Sequence, residues 1–281
     1  MAVGSLMDGK VVFITGAARG IGEHTARLAA ARGATVALVG LEPERLASLA
    51  AELGGAWFEC DVTDQSALDR AAAGTVERFG GIDVVVANAG VANRGTIVVG
   101  DIEGLVHTVQ VNLIGVMRTV RATVDQVIAR RGYYLLVSSA AAFTPLPGLA
   151  AYSASKAGVE QFGNAIRLEL AHRGVDVGTA HMSFIDTDMT RDAQDDLPSF
   201  RESVRRLGSL TRVVPVEACA RSFVDAIERR RRVVYVPRSV RGMRSLRRTA
   251  LAEAILRRGA RSSVPRLEDE VRALGRPFGT R

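Results

Sequence analysis

Lysine, cysteine and aromatic side chains are all scarce in this chain of 281 residues. The only cysteines are Cys60 and Cys219, too few and too far apart for a disulfide framework or a thiolate metal site. Their scarcity predicts a reducing, cytoplasmic setting and no bound metal. No run approaches the roughly 20 uninterrupted apolar residues that a membrane span requires. The segment from Met1 to Lys10 has neither a basic n-region nor an apolar h-region, so no signal peptide is expected. Aromatic residues make up 5 %, and no helix-turn-helix or zinc-finger spacing accompanies the basic charge, so nucleic acid is not an expected partner. What remains is the mix of a soluble globular protein, 47 % apolar and 24 % charged, large enough for one substantial core.

The net charge of +7 is unevenly placed. Residues 229–281 hold 16 arginines against 4 acids, whereas residues 1–228 hold 21 basic and 26 acidic groups. The alkaline character therefore belongs to a tail. Of the 37 basic residues only Lys10 and Lys156 are lysines, which makes each lysine conspicuous.

Short apolar runs alternate with longer amphipathic stretches. The runs are Val11–Ile14, Thr35–Val39, Trp57–Phe58, Ile82–Ala87, Tyr133–Val137, Val175–Ala180 and Val233–Val236. Helical periodicity covers 21–32, 43–53, 64–79, 101–130, 151–173 and 216–230. Near-continuous apolar strands separated by helices predict a parallel sheet covered on both faces, hence a single doubly wound α/β domain, of Rossmann type, with seven strands. No linker precedes residue 238, so the expected division is a catalytic domain over 1–237 and an Arg-rich helical extension over 238–281. Within that extension, Arg241–Arg258 and Pro265–Leu274 read as one or two basic helices. The polar stretch 187–212 reads as a loop with a short helix.

The first strand runs into Thr15-Gly16-Ala17-Ala18-Arg19-Gly20-Ile21-Gly22 and then a helix. Glycines there permit a tight turn and close approach of a diphosphate to backbone N–H groups at a helix N-terminus. Asp61-Val62 follows the third strand and Asn88-Ala89-Gly90 follows the fourth, both at carboxyl ends where open α/β sheets bind ligands. Tyr152-Ser153-Ala154-Ser155-Lys156 places a phenol and an ammonium at i and i+4, on one face of a helix. Ser139 lies at the end of the Tyr133–Val137 strand, where its hydroxyl would face the same cleft.

The glycine turn, Asn88-Ala89-Gly90, Asn112, Ser139 and Tyr152-x-x-x-Lys156 together resemble the short-chain dehydrogenase/reductase family, in order, over residues 8–237. The resemblance implies an NAD(P)-dependent oxidoreductase that moves a hydride between nicotinamide and a carbonyl or secondary-alcohol carbon. Tyr152 would be the general acid/base, Ser139 would polarise the substrate oxygen, and Lys156 would hold the nicotinamide ribose. Asn112 would open its helix to support a water linking Lys156 to solvent. Gly16, Arg19, Gly20, Ile21, Gly22, Asp61, Val62, Asn88, Ala89, Gly90, Ile185 and Thr187 would contact the cofactor, with Tyr152 and Lys156. Lys156 and an oxidised nicotinamide both favour the phenolate, which predicts a depressed Tyr152 pKa.

Two positions depart from the family pattern. The end of the second strand carries Gly40 and Leu41 where NAD-specific members usually carry an acid and NADP-preferring members often carry an arginine. Without a carboxylate there, and with Arg19 able to neutralise a 2′-phosphate, NADP is the expected cofactor. Glu42 could reach the ribose instead, which keeps NAD open. After the sixth strand, Met182-Ser183 replaces the frequent Pro-Gly, which leaves the local backbone path open.

The apolar stretch Ala140–Leu149 beside Ser139 predicts a lipophilic alcohol or ketone as substrate. For the Arg-rich tail three readings stand: packing on the domain or a second subunit, peripheral contact with an anionic membrane, or nucleic-acid binding, the last the weakest. The family resemblance also implies a homodimer or homotetramer through the 101–130 and 151–173 helices. The rival function is a non-catalytic dinucleotide-binding sensor of the same fold, against which the joint presence of Tyr152, Lys156, Ser139 and Asn112 argues.

Overall fold

The computed structural model describes residues 6–199, 201–202, 213–246 and 250–274. The apolar runs form seven strands: β1 (Val11–Thr15), β2 (Thr35–Gly40), β3 (Ala56–Glu59), β4 (Val84–Ala87), β5 (Tyr133–Val137), β6 (Asp176–Met182) and β7 (Val233–Val236). They pair in parallel as one sheet in the order β3-β2-β1-β4-β5-β6-β7. The expected doubly wound topology is present. The order reverses between β1 and β4, which opens a crevice at the carboxyl ends of these two strands.

The helices are α1 (Gly20–Ala31), α2 (Pro43–Leu53), α3 (Gln65–Phe79), α4 (Ile102–Val109), α5 (Gly115–Ala129), α6 (Ala150–Ala171), α7 (Asp188–Asp196), α8 (Val216–Glu228), α9 (Val240–Leu246) and α10 (Ala250–Leu274). The strand pleat sends alternate side chains to opposite faces. Val12, Ile14, Val36, Leu38, Leu135 and Val137 pack with α1 and α8 on one face. Phe13, Ala37, Val39, Tyr134 and Leu136 pack with α3, α5 and α6 on the other. Both faces of the central strands β1, β4 and β5 are therefore dry, which is why they read as near-continuous apolar runs, whereas β6 buries Thr179 and His181 and the edge strand β3 leaves Trp57 and Glu59 exposed.

Two stretches differ from the sequence expectation. The 101–130 helix is split by one π-helical segment, Gln110–Ile114, between α4 and α5. The tail does not break at Pro265: that residue lies inside α10, on its exposed side. A proline in a helix interior forfeits one backbone hydrogen bond. Here its solvent-facing position lets water take the freed carbonyl. Of the predicted 187–212 loop, the short helix is α7, and residues 200 and 203–212 lie outside the described residues.

Candidate active site

The glycine turn is packed to its limit. Gly16 has φ +64°, and a Cβ there would meet the Ala89 Cα at 2.8 Å. A Cβ at Gly22 would stand 2.2 Å from the Gly16 carbonyl oxygen, so α1 approaches the turn as only glycine allows. Gly20 has φ +59° and opens α1, leaving the first-turn N–H groups facing the cleft. The end of β4 holds this turn in place. The Asn88 amide donates to the Thr15 and Gly16 carbonyls at 3.0 and 3.1 Å. The backbone N–H groups of Asn88 and Ala89 both donate to the Thr15 hydroxyl, at 3.0 and 3.1 Å.

A cleft of about 580 Å³ runs over these carboxyl ends. Gly16, Arg19, Gly20, Ile21, Asp61, Val62, Asn88, Ala89, Gly90, Tyr152, Lys156, Ile185 and Thr187 all line it. Of the expected cofactor residues, Gly22 alone is set back from the wall, where it lets the helix and the turn meet. The Asp61 carboxylate accepts from the Thr63 backbone N–H at 2.8 Å, which fixes the chain as it leaves β3. Tight glycines, helix N–H groups at the start of α1 and a buried Ser183 hydroxyl on the cleft wall with no hydrogen-bond partner among the described residues fit an extended dinucleotide.

Of the residues expected to carry proton transfer, Tyr152 and Lys156 line this cleft, whereas Ser139, expected to face it, lies behind its wall and reaches it through a hydrogen bond to the Tyr152 phenol. Ser139 follows β5 and caps a short 3-10 turn, Ala140–Ala142, its hydroxyl accepting from the Ala141 N–H at 3.1 Å. Tyr152 and Lys156 lie one turn apart on α6, with Lys156 Nζ 5.7 Å from the phenol ring centroid. Nζ donates to the Val137 carbonyl at 2.9 Å, and burial lowers the amine to a pKa of about 8. Burial pushes the Tyr152 phenol above its usual value, while a hydrogen bond from Ser139 and the charge of Arg94 pull it down. The expected depression of Tyr152 is thus reversed in the protein alone. Loss of solvent outweighs Ser139 and Arg94, and the Lys156 ammonium is turned toward Val137.

Asn112 sits inside the π-helical segment, fully buried. Its carboxamide oxygen accepts from the Val91 N–H at 2.8 Å, and its nitrogen donates to the Val91 carbonyl at 2.9 Å. A third bond, 3.3 Å, reaches the Ser155 hydroxyl on α6. The helix does open at Asn112, as expected. Its side chain is committed to Val91 and Ser155, and does not line the cleft.

The two departures from the family pattern resolve locally. Arg19 Nε donates to Glu42 at 2.8 Å, and Arg45 stands 3.3 Å from the same carboxylate. The two groups that argued for opposite cofactors are thus partners of one another. Lacking a proline, the chain after Met182 continues its pairing: the Ser183 N–H donates to the Val236 carbonyl at 2.8 Å. Sequence reasoning gave Arg94 no role, and in His181 it found a histidine without a triad partner. Arg94 is buried close enough to Tyr152 to bias its ionisation. His181 is buried between Phe143 and Tyr235, with Nδ1 3.4 Å from the Ser139 carbonyl. Neither carries a one-dimensional signal, because each is defined by neighbours distant in the chain.

The short chain dehydrogenase family matches residues 10–198. Among similar curated proteins, the 2,3-dihydro-2,3-dihydroxybenzoate dehydrogenase of Bacillus subtilis is 36 % identical over 189 residues, 65 % of this chain and 72 % of that protein. The 3-oxoacyl-[acyl-carrier-protein] reductase FabG of Thermotoga maritima is 37 % identical over 190 residues, covering 66 % and 77 %. The D-threitol dehydrogenase of Mycolicibacterium smegmatis is 35 % identical over 195 residues, covering 67 % and 75 %. Among solved structures, gox2181 superposes with a TM-score of 0.73 at 23 % identity, covering 78 % of this chain and 89 % of that one, a likeness of fold.

Proposed function

Because this chain belongs to the short-chain dehydrogenase family and is an NAD(P)-dependent oxidoreductase, we propose that it interconverts a lipophilic secondary alcohol and its ketone with NADP(H). The carrying observation is that Tyr152 and Lys156 line the same cleft as the glycine turn, with Ser139 hydrogen-bonded to the Tyr152 phenol. When bound, the nicotinamide supplies or accepts the hydride. In the reductive direction the Tyr152 phenol gives its proton to the substrate oxygen as negative charge develops there. Ser139 donates a second hydrogen bond to the same oxygen. Lys156, charged at neutral pH, binds the ribose and favours the phenolate during alcohol oxidation. Asn112 acts as a positioning residue, joining the Val91 backbone to α6.

For the cofactor, a glycine at position 40 leaves no carboxylate at the end of β2, and Arg19 and Arg45 bracket the single Glu42. A doubly charged 2′-phosphate would draw both guanidinium groups, which supports NADP over NAD. Exposed apolar side chains on α4 and α6, Ile102, Val106 and Leu168, support a homodimer or homotetramer through those helices. Residues 1–237 form the catalytic unit and 238–281 an extension of it. The inward packing of Leu267 favours docking of that extension on the enzyme over a membrane-surface role. Among the described residues no helix is long and apolar enough to cross a membrane, and a cytoplasmic location accords with the two free cysteines.

The test is Tyr152→Phe. It should bind NADPH as wild type does, read by the fluorescence of the reduced nicotinamide, and lose at least a thousandfold in turnover. Undiminished turnover would reject the assignment.

A further inference from the structure

The C-terminal helix α10 packs back on the domain and joins an apolar cluster that Tyr152 also touches. Its Leu267 is almost fully buried, in a cluster with Leu149, Ala193 and Leu197. Tyr152, Leu146, Phe184 and Val271 pack against that same cluster. The contact is close: a Cβ at Gly148, which has φ +77°, would stand 2.7 Å from a Leu267 methyl. Two polar ties flank it. The Thr96 hydroxyl donates to Glu268 at 2.9 Å, and the buried Ser199 donates to Glu270 through both its N–H (3.0 Å) and its hydroxyl (2.7 Å). Residues 229–281 hold 4 acids, and two of them make these ties.

The loops that bear Thr96 and Gly148, the helix α7 and α10 thus come together beside Tyr152. A substrate whose oxygen meets Ser139 and Tyr152 must place its carbon body against this junction. The junction is aliphatic where α10 contributes, so it favours an apolar body and excludes bulk by shape. Building on the oxidoreductase reading above, we propose that α10 is the roof of the substrate pocket, with Leu267 as the residue that sets the size of ketone admitted.

The experiment compares wild type with Leu267→Ala and Leu267→Phe on 2-butanone, 2-octanone and 1-tetralone, alongside NADPH affinity. Leu267→Ala should raise the kcat/KM ratio of 1-tetralone to 2-butanone at least tenfold, mostly through KM, and Leu267→Phe should lower it. NADPH affinity should stay within twofold in both. Glu270→Ala, which leaves the apolar cluster intact, should move the ratio in the same direction as Leu267→Ala by a smaller factor. Affinity for the neutral apolar probe N-phenyl-1-naphthylamine supplies a readout without turnover, and it should rise at least fivefold in Leu267→Ala. A wild type that reduces no ketone would count against the oxidoreductase reading alone, because probe binding still interrogates the roof. Probe affinity unchanged in Leu267→Ala, or a size profile unchanged across these variants, would overturn the proposal.

Discussion

Gly40 offers a sharp way to interrogate cofactor choice. It ends β2 in ordinary extended backbone, and a Cβ placed there meets Leu46 Cδ1 at 3.7 Å and the Ala17 nitrogen at 3.9 Å, both ordinary contacts. Gly40→Asp is therefore accommodated without strain, and its effect is electrostatic. The new carboxylate would stand at the cleft wall beside Arg19 and Glu42, where a 2′-phosphate would lie. Two unit charges about 4 Å apart repel by about 1 kcal/mol in water and about 4 kcal/mol near a protein surface. The half-exposed Arg19 and the open cleft favour the lower part of that range, so about 1.4–2.7 kcal/mol, or 10- to 100-fold, is expected against NADPH. For NADH the same carboxylate gains ribose hydroxyl donors, worth about 1.5–3 kcal/mol for a charged acceptor. The assay is kcat/KM with each cofactor on one ketone. The wild type should prefer NADPH, and the variant should invert that preference. A wild type that already prefers NADH, or a variant whose NADPH efficiency is unchanged, would refute the reasoning.

Other substitutions test the remaining links. Gly22→Ala puts a methyl 2.2 Å from the Gly16 carbonyl, so it should cost at least about 2 kcal/mol in urea unfolding and abolish NADPH binding. Lys156 titrates near 8 in the folded chain against an ordinary value of 10.5. Between those pH values the unfolded chain holds a proton that the folded chain has lost, so wild type gains stability as pH rises. Relative to Lys156→Met, that gain should be on the order of 3 kcal/mol from pH 8 to 10.5. Thermal unfolding at both pH values checks it, and parallel pH dependence in the two proteins would contradict a buried amine.

The order of elements was legible in the sequence because the central strands, buried on both faces, read as near-continuous apolar runs between amphipathic helices, even though β6 buries Thr179 and His181. The turn around Gly16, Gly20 and Gly22 was legible too, since only glycine satisfies its positive φ and its close helix contact. Tyr152 and Lys156 stood out through helical spacing and the rarity of lysine. The ionisation of Tyr152 was not legible. Spacing shows who is near, but the outcome turned on desolvation and on the Lys156 amine facing the Val137 carbonyl. The pairing of Arg19 with Glu42 likewise joins residues 23 positions apart, across two βα turns. The continuity of α10 through Pro265 depended on which side of that helix met water.

Asn112 has the last consequence. With its C=O and NH₂ both matched to the main chain of Val91, the side chain behaves as a one-residue peptide link set crosswise to the helix that bears it. Aspartate keeps the acceptor but loses the donors, and alanine loses both, so neither preserves the splice. The segment around Val91 and the helix carrying the phenol are thereby welded into one mechanical body, and whatever displaces one must carry the other along.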